Sequence, residues 1–164
     1  MKHLIVLLLI CLPFASASAQ HLSGFKMDIA PLPVLVNSPA DDYAPVINAS
    51  GTMLYLTSYR DQDSRGEADL FVSSLETSGL TTAVNAGDPF NTAGNDGAIT
   101  FSADGTIAVF ASDGREDGLG DTDLYMIRYS GEKIIEVTNL GPAVNSEYWD
   151  SQPTLTADGM TLYF

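Results

Sequence analysis

The sequence predicts an all-β fold built from a repeated unit of strands, and three observations lead to this prediction. Equivalent residues recur at a constant interval of 54 positions, as at Asn37, Asn91 and Asn145. Asp-Gly or Ser-Gly pairs separate runs rich in β-branched and aromatic residues, which is the sequence signal of a β-hairpin. Beyond the first 19 residues, no stretch carries the 3.6-residue apolar period of a helix.

The repeat keeps its register without insertion, so chance does not explain it. Self-similarity of this kind is the sequence signature of repeat architectures. The matched sets include Asp42, Asp96 and Asp150; Gly51, Gly105 and Gly159; Leu54, Ala108 and Leu162; Ser58 and Ser112; Gly66 and Gly120; and Asp69 and Asp123.

Each unit is predicted to form four strands. The first strand leads through a turn at 48–51 or 102–105 into the second strand, and a polar loop precedes the third. The fourth strand has the weakest signal. The predicted strands are 45–47, 52–57, 69–74 and 81–85 in the first unit, and 98–101, 106–111, 123–129 and 134–138 in the second.

The second strand of each unit is apolar on both faces, as in residues 53–56 and 107–111. An antiparallel sheet with one wet face would alternate instead. A strand buried on both sides requires sheets that stack face to face, as in the blades of a β-propeller. A flat β-sandwich also explains apolar runs, but it does not explain the constant period. The sequence therefore favours a propeller.

Residues 1–19 have the three-part organisation of a secretory signal peptide. Lys2 and His3 supply a basic head, residues 4–14 form an apolar core, and small residues follow up to Ala19. The apolar run is shorter than the roughly 20 residues that span a bilayer. We predict cleavage after Ala19 and a lead-in over residues 20–35; an uncleaved membrane anchor is the alternative. Cys11, the only cysteine, would leave with the signal peptide.

The mature chain is strongly acidic. Removal of residues 1–19 leaves 6 basic and 21 acidic residues, a net charge of −15. A field of this sign opposes binding to nucleic acid and to anionic membrane surfaces. We expect no nucleic-acid partner and contact with membranes only by association, and the oligomeric state stays open.

The repeated pattern is Asn…Asp-x-x-Pro…(Ser/Asp)-Gly-x-x-Leu-Tyr-Phe-x-Ser…Arg…Gly-x-x-Asp-Leu-Tyr. It resembles the WD40-like repeats called PD40, which occur in TolB-type propellers and in bacterial envelope proteins that often carry an OmpA-like domain. The resemblance covers roughly residues 36–164. The repeat and the resemblance together imply a structural role for Asp42, Gly51, Arg60, Asp69, Asp96, Asp104, Gly105, Arg115, Asp123, Asp150, Asp158 and Gly159.

The repeat also sets the expected domain organisation. Blade 1 covers about residues 37–90, blade 2 about residues 91–144, and residues 145–164 begin blade 3. Propellers close with about four to eight blades. We therefore expect a partial β-propeller that is the N-terminal part of a longer one.

Residues 20–164 offer no catalytic constellation. His21 is the only histidine in this span and no cysteine is present, so a Ser-His-Asp or Cys-His centre would lack its base. A His-Glu-x-x-His metal motif and a Gly-rich phosphate loop are also missing. The sequence leans against an enzyme and leaves open a catalytic part beyond residue 164.

Two acidic loops, at residues 61–66 and 113–123, are candidate calcium-binding sites. Calcium takes six to eight oxygen ligands, and Asp113, Asp117 and Asp121 are candidates. The loops lack EF-hand spacing, however. The competing interpretation is structural, with Asp69 and Asp123 capping turns. No other cofactor is expected.

Residues that differ between units are the better binding candidates, because a residue present in every unit most simply maintains the blade. The candidates are Tyr59, Arg65, Glu116, Tyr148 and Trp149. Aromatic side chains at a propeller mouth suit stacking on a peptide or a sugar. For Trp149, packing between blades is the alternative.

Two functions stay open on this basis. The first is an exported, non-catalytic propeller that binds a protein partner in the periplasm or at the outer membrane, which is what the PD40 resemblance implies. The second is the propeller part of an exported hydrolase or peptidase. Fold alone does not choose between them.

Overall fold

The computed structural model describes residues 30–164, and these residues form an all-β structure without a helix. The all-β prediction is confirmed. The predicted signal peptide over residues 1–19, with Cys11, lies outside the described residues, and so does His21.

Two antiparallel sheets and a short hairpin make up the fold. In the first sheet the strands lie side by side in chain order, except that two short strands both pair with the outer edge of the third strand. The first sheet contains β1 (Asp42–Ile47), β2 (Met53–Ser58), β3 (Asp69–Glu76), β4 (Gly79–Leu80) and β5 (Val84–Asn85). The second contains β6 (Asp96–Phe101), β7 (Ile107–Ser112), β8 (Asp123–Ser130) and β9 (Lys133–Asn139), and the hairpin contains β10 (Thr154–Leu155) and β11 (Leu162–Tyr163).

The first strand of each sheet begins earlier than the sequence predicts. The prediction started at residues 45 and 98, whereas β1 starts at Asp42 and β6 at Asp96. A bulge interrupts both strands, because the register shifts after Tyr43 and after Gly97. The polar residues before the bulge carry no apolar signal, so the pattern revealed only the half beyond it.

The sheets stack face to face over a shared core. Its members come from both sheets and from the segment that links them: Leu70, Phe90, Ile99, Ala108, Phe110, Tyr125 and Ile127. Phe90 lies between the sheets, with its ring 5.9 Å from Tyr55 and 6.2 Å from Phe110. Burial of this apolar area is the main force holding one sheet on the other.

The remaining faces of the two sheets are also covered. Leu54, Leu56 and Phe71 pack beneath Val36, which is fully buried. Val109, Ala111 and Leu124 pack against Leu155 and Leu162 of the hairpin. Strand β7 is therefore buried on both sides. Strand β2 is buried on one side and half-buried on the other, at Met53 and Tyr55.

Residues 36, 90 and 144 play one role in three units. Each precedes the repeated asparagine by one position and joins a separate core cluster, as Val36, Phe90 and Val144 respectively. The residue before each repeated asparagine thus adds one apolar side chain to a core cluster of the adjacent sheets.

Candidate functional site

The repeated aspartates at the start of the third strands close the preceding loops. Asp69 Oδ2 accepts hydrogen bonds from the Arg65 backbone N–H (2.5 Å) and from Asn85 Nδ2 (2.7 Å). Asp123 Oδ2 accepts the same two bonds from Leu119 (2.6 Å) and Asn139 (2.7 Å). Both aspartates are buried. The bonds from Arg65 and Leu119 are local turn bonds of the kind that aspartate favours, whereas those from Asn85 and Asn139 come from the strand that pairs with the third strand.

The repeated asparagines connect neighbouring units. Asn91 Oδ1 accepts the Leu70 N–H at 2.9 Å, and Asn91 Nδ2 donates to the Leu70 carbonyl at 2.8 Å. Asn145 makes the matching pair with Leu124 at 2.9 and 3.0 Å. Asn37 differs, because its amide donates to the Leu32 carbonyl instead.

The aspartates at the start of the first strands have contrasting surroundings. The Asp42 carboxylate accepts a hydrogen bond from the Ser38 backbone N–H, and it forms an ion pair with the Arg60 guanidinium at 2.8 Å. Burial alone would raise the pKa of Asp42, but hydrogen bonds from Ser58, Ser38 and Arg60 lower it below its ordinary value. Burial raises the pKa of Asp96, and its other contacts offset this only in part.

The two repeated arginines stack on aromatic rings. The Arg60 guanidinium lies 4.3 Å from the centre of the Phe71 ring and donates to the Val36 carbonyl. The Arg115 guanidinium lies 5.0 Å from the ring of Phe110 and 4.9 Å from that of Tyr125. Each arginine therefore stabilises its own sheet through cation–π contact.

The remaining residues of the predicted structural set lie in the hairpin turns, except Asp150, which is equivalent to Asp42 and Asp96. Gly51, Gly105 and Gly159 adopt φ values of +73°, +71° and +68°, which only glycine adopts without strain. Asp104 Oδ1 accepts the N–H of Thr106, and Asp158 Oδ1 accepts the N–H of Met160, both at 3.0 Å. Asp150 Oδ2 accepts the Ser146 N–H at 2.6 Å.

The three calcium candidates do not converge. Within residues 30–164, no group of three or more His, Cys, Asp or Glu side chains is placed to hold a metal ion. Asp113 instead accepts the Asn95 backbone N–H and the Asn95 side-chain amide. Asp117 accepts the Tyr125 hydroxyl at 3.1 Å. Asp121 is exposed.

Two of the five binding candidates meet at one place. Tyr59 and Trp149 line a cavity of about 150 Å³ where the first strands begin, and Tyr43, Asn95 and Gln152 also line it. We call these five residues the aromatic cleft. The cleft is the point where three successive units present their variable residues together.

Exposed rings dominate the aromatic cleft. Tyr43 and Tyr59 stack with centroids 5.9 Å apart, and Trp149 is 71% exposed. Burial and the adjacent Tyr59 phenol raise the pKa of Tyr43 to about 12, so it stays a neutral hydrogen-bonding group at physiological pH. Exposed aromatic side chains that are already ordered are typical of binding surfaces.

The other candidates lie apart from the cleft lining. Tyr148 is adjacent in sequence to Trp149 and is 67% exposed. Arg65 forms an exposed ion pair with Asp88 at 2.5 Å, and Glu116 is exposed. Sequence reasoning missed Tyr43, although it too differs between units, where Gly97 and Ser151 replace it.

Backbone strain recurs beside the aromatic cleft. Ala44, Ala98 and Gln152 occupy equivalent positions in three units, and their φ values are +49°, +48° and +56°. Non-glycine residues pay a steric penalty in this region, and such strain concentrates at functional sites. Two of these residues, Ala98 and Gln152, line the cavity of the cleft.

Comparisons with protein-family models, with curated proteins and with solved structures gave no significant match. Among residues 30–164, no helix has the length and apolar character needed to cross a membrane.

Proposed function

We propose that this chain is part of an exported, non-catalytic β-propeller of the PD40 type, which binds a protein partner of the bacterial cell envelope. The observation that carries the proposal is the aromatic cleft. It gathers Tyr43 and Tyr59 of the first unit, Asn95 of the second and Trp149 of the third at one end of the sheets. A binding surface formed by several units is how repeat proteins recognise their partners.

The stacking of the units supports the propeller architecture. Strand β6 lies against β1 on one side and against β10 on the other, so the first strands of successive units are neighbours. This is the arrangement expected when blades place their first strands nearest a common axis. The apolar residue at 36, 90 and 144, one position before the repeated asparagine, gives the three units a common start.

The composition of the cleft supports a protein partner. Tyrosine and tryptophan are enriched where binding energy concentrates in protein interfaces. Gln152 adds an amide that donates and accepts hydrogen bonds, whereas the Asn95 amide is already bonded to Ala68 and Asp113. The acidic character of the chain favours a partner whose contact surface is neutral or basic.

Photo-crosslinking in cells tests this proposal. A photoreactive amino acid at position 149 should crosslink to one defined envelope protein, and Tyr59→Ala in the same chain should reduce the yield. The matched control is position 135, because Ile135 is an exposed apolar residue on β9 outside the cleft. Equal crosslinking from positions 149 and 135 would contradict the proposal.

A further inference from the structure

A second cavity lies at the opposite end of the sheets from the aromatic cleft. Its volume is about 610 Å³, and it opens between the β1–β2 turn, the β6–β7 turn and the β8–β9 turn. A cavity of this size falls within the range of sites that take small molecules. We call it the turn-end cavity.

Three aromatic rings line the turn-end cavity, those of Tyr55, Phe101 and Tyr129. The centroids of Tyr55 and Phe101 lie 5.2 Å apart, with their planes tilted by 50°. All three rings also pack against the core between the two sheets. The core therefore fixes the rings in place before any ligand arrives, which lowers the entropic cost of binding.

The charges at the turn-end cavity are of one sign. Asp104 and Glu132 are its ionisable carboxylates, and neither lysine nor arginine is among its lining residues. Hydrogen bonds from Ser102 and Thr106 lower the pKa of Asp104, so it stays ionised well into the acidic range. Lys133 follows Glu132 in the chain but does not line the cavity. The cavity thus favours a cation.

The polar groups at the rim are largely committed to the turns. Asn48 Oδ1 accepts the N–H groups of Thr52 and Met53, both at 3.0 Å. The hydroxyls of Ser50 and Thr52 bond to each other at 2.7 Å. Asp104 Oδ1 already accepts three hydrogen bonds. A sugar would need many free hydrogen-bonding partners, whereas a quaternary ammonium group needs none.

We propose that the turn-end cavity binds an organic cation bearing a trimethylammonium group. The rings of Tyr55, Phe101 and Tyr129 contact its methyl groups, and the Glu132 carboxylate balances its charge. Attraction between a cation and aromatic faces is the established physical basis for recognising quaternary ammonium ligands. The inference is independent of the aromatic cleft and of any envelope partner.

Calorimetry and ligand-observed NMR on the purified protein test this inference. The probes are choline and its neutral isostere 3,3-dimethylbutan-1-ol, which has the same shape without the charge. We expect choline to bind about tenfold more tightly than the isostere, within the range of cation–π stabilisation in desolvated sites. Equal affinity for the two probes, or no choline binding by the folded protein, would overturn the inference.

The choline affinity of variants at Tyr129 and Glu132 tests whether choline binds in the turn-end cavity. Tyr129→Phe keeps the ring and should keep choline affinity within about threefold, whereas Tyr129→Leu removes the ring and should weaken binding about tenfold. Glu132 lies in an exposed turn, so Glu132→Gln leaves the fold intact and should also weaken choline binding without changing affinity for the isostere. Circular dichroism checks that each variant is folded. Unchanged choline affinity in both Tyr129→Leu and Glu132→Gln would place the probe elsewhere and reject the assignment.

Discussion

Asp42 and Asp96 occupy equivalent positions, yet their carboxylates contribute to stability in opposite directions. Asp42 is paired with Arg60, and its pKa is lowered from 3.8. Asp96 is 1% exposed, its pKa is raised from 3.8, and its Oδ1 has no hydrogen-bond partner among the described residues. A repeated residue thus keeps its position in the strand while its electrostatic role changes with its surroundings.

The two aspartates should respond differently to neutralisation. Asp42 stabilises the fold above pH 3.8, and this contribution is lost as the pH falls through its lowered folded pKa. Asp42→Asn should therefore cost about 1–2 kcal/mol at pH 7 and less near pH 3. Urea unfolding at several pH values measures both effects.

For Asp96, ionisation of the carboxyl has the opposite effect on the stability of the fold. Ionisation of a carboxyl with a raised folded pKa destabilises the fold, and the loss develops as the pH rises from 3.8 through that folded pKa. Ser112 Oγ lies beside the Asp96 carboxyl, and the amide of an asparagine at position 96 can donate a hydrogen bond to it. Asp96→Asn should be neutral or stabilising at pH 7. A loss equal to that of Asp42→Asn would contradict this interpretation.

At the scale of elements, side chains of each unit complete the backbone hydrogen bonding of the neighbouring unit. The Asn91 amide satisfies both backbone groups of Leu70 in β3, although the repeat places Asn91 in the following unit. Thr57 Oγ1 in β2 accepts the Ala98 N–H of β6 at 2.9 Å. Because the bulge removes that N–H from its own ladder, the neighbouring sheet must supply the acceptor.

Removal of the asparagine amide should be costly. Asn91→Ala leaves the buried Leu70 N–H unpaired, whereas the Leu70 carbonyl keeps its hydrogen bond from the Ala86 N–H. We expect a loss of about 1–3 kcal/mol in the free energy of unfolding. Asn37→Ala is the matched control, since among the described residues the Asn37 side chain makes one hydrogen bond, at 3.2 Å to the Leu32 carbonyl on the surface. Its effect should stay within about 0.5 kcal/mol. Similar losses for both variants would reject the bridging role.

The hydroxyl of Thr57 can be tested separately from its shape. Thr57→Val keeps the volume but removes the acceptor for the Ala98 N–H, and it should cost about 1–3 kcal/mol. Thr57→Ser keeps the acceptor and should cost less. Chemical denaturation measures the free energy of unfolding of the two variants. A serine variant less stable than the valine variant would show that packing contributes more than the hydrogen bond.

For the whole molecule, the proposed propeller requires successive sheets to turn about a common axis. Thr52, Thr106 and Met160 are equivalent and exposed positions in three units, so each accepts a spin label with little disturbance. With cysteines at pairs of these positions in a Cys11→Ser background, the separation from 52 to 160 should be clearly less than the sum of the two shorter separations. Pulsed electron spin resonance measures all three, and additive separations would indicate a straight stack.

The sequence by itself determined the all-β class, the repeat, the turns and the burial of β7 on both faces. These features depend on local composition and periodicity, which each unit carries within itself, as the glycine turns at Gly51 and Gly105 illustrate. It also identified Tyr59 and Trp149 as variable aromatic residues.

Only the tertiary structure decided which of these residues meet. Tyr43, Tyr59 and Trp149 are separated by up to about two repeats in the chain, and they approach one another because the sheets stack with their first strands adjacent. The bulges at Ala44 and Ala98 and the turn-end cavity also escaped prediction. The bulges hold alanine at positive φ, a conformation that this residue type does not indicate. The cavity arises at a contact between units, where the geometry depends on how one sheet lies on the next and no local pattern records it.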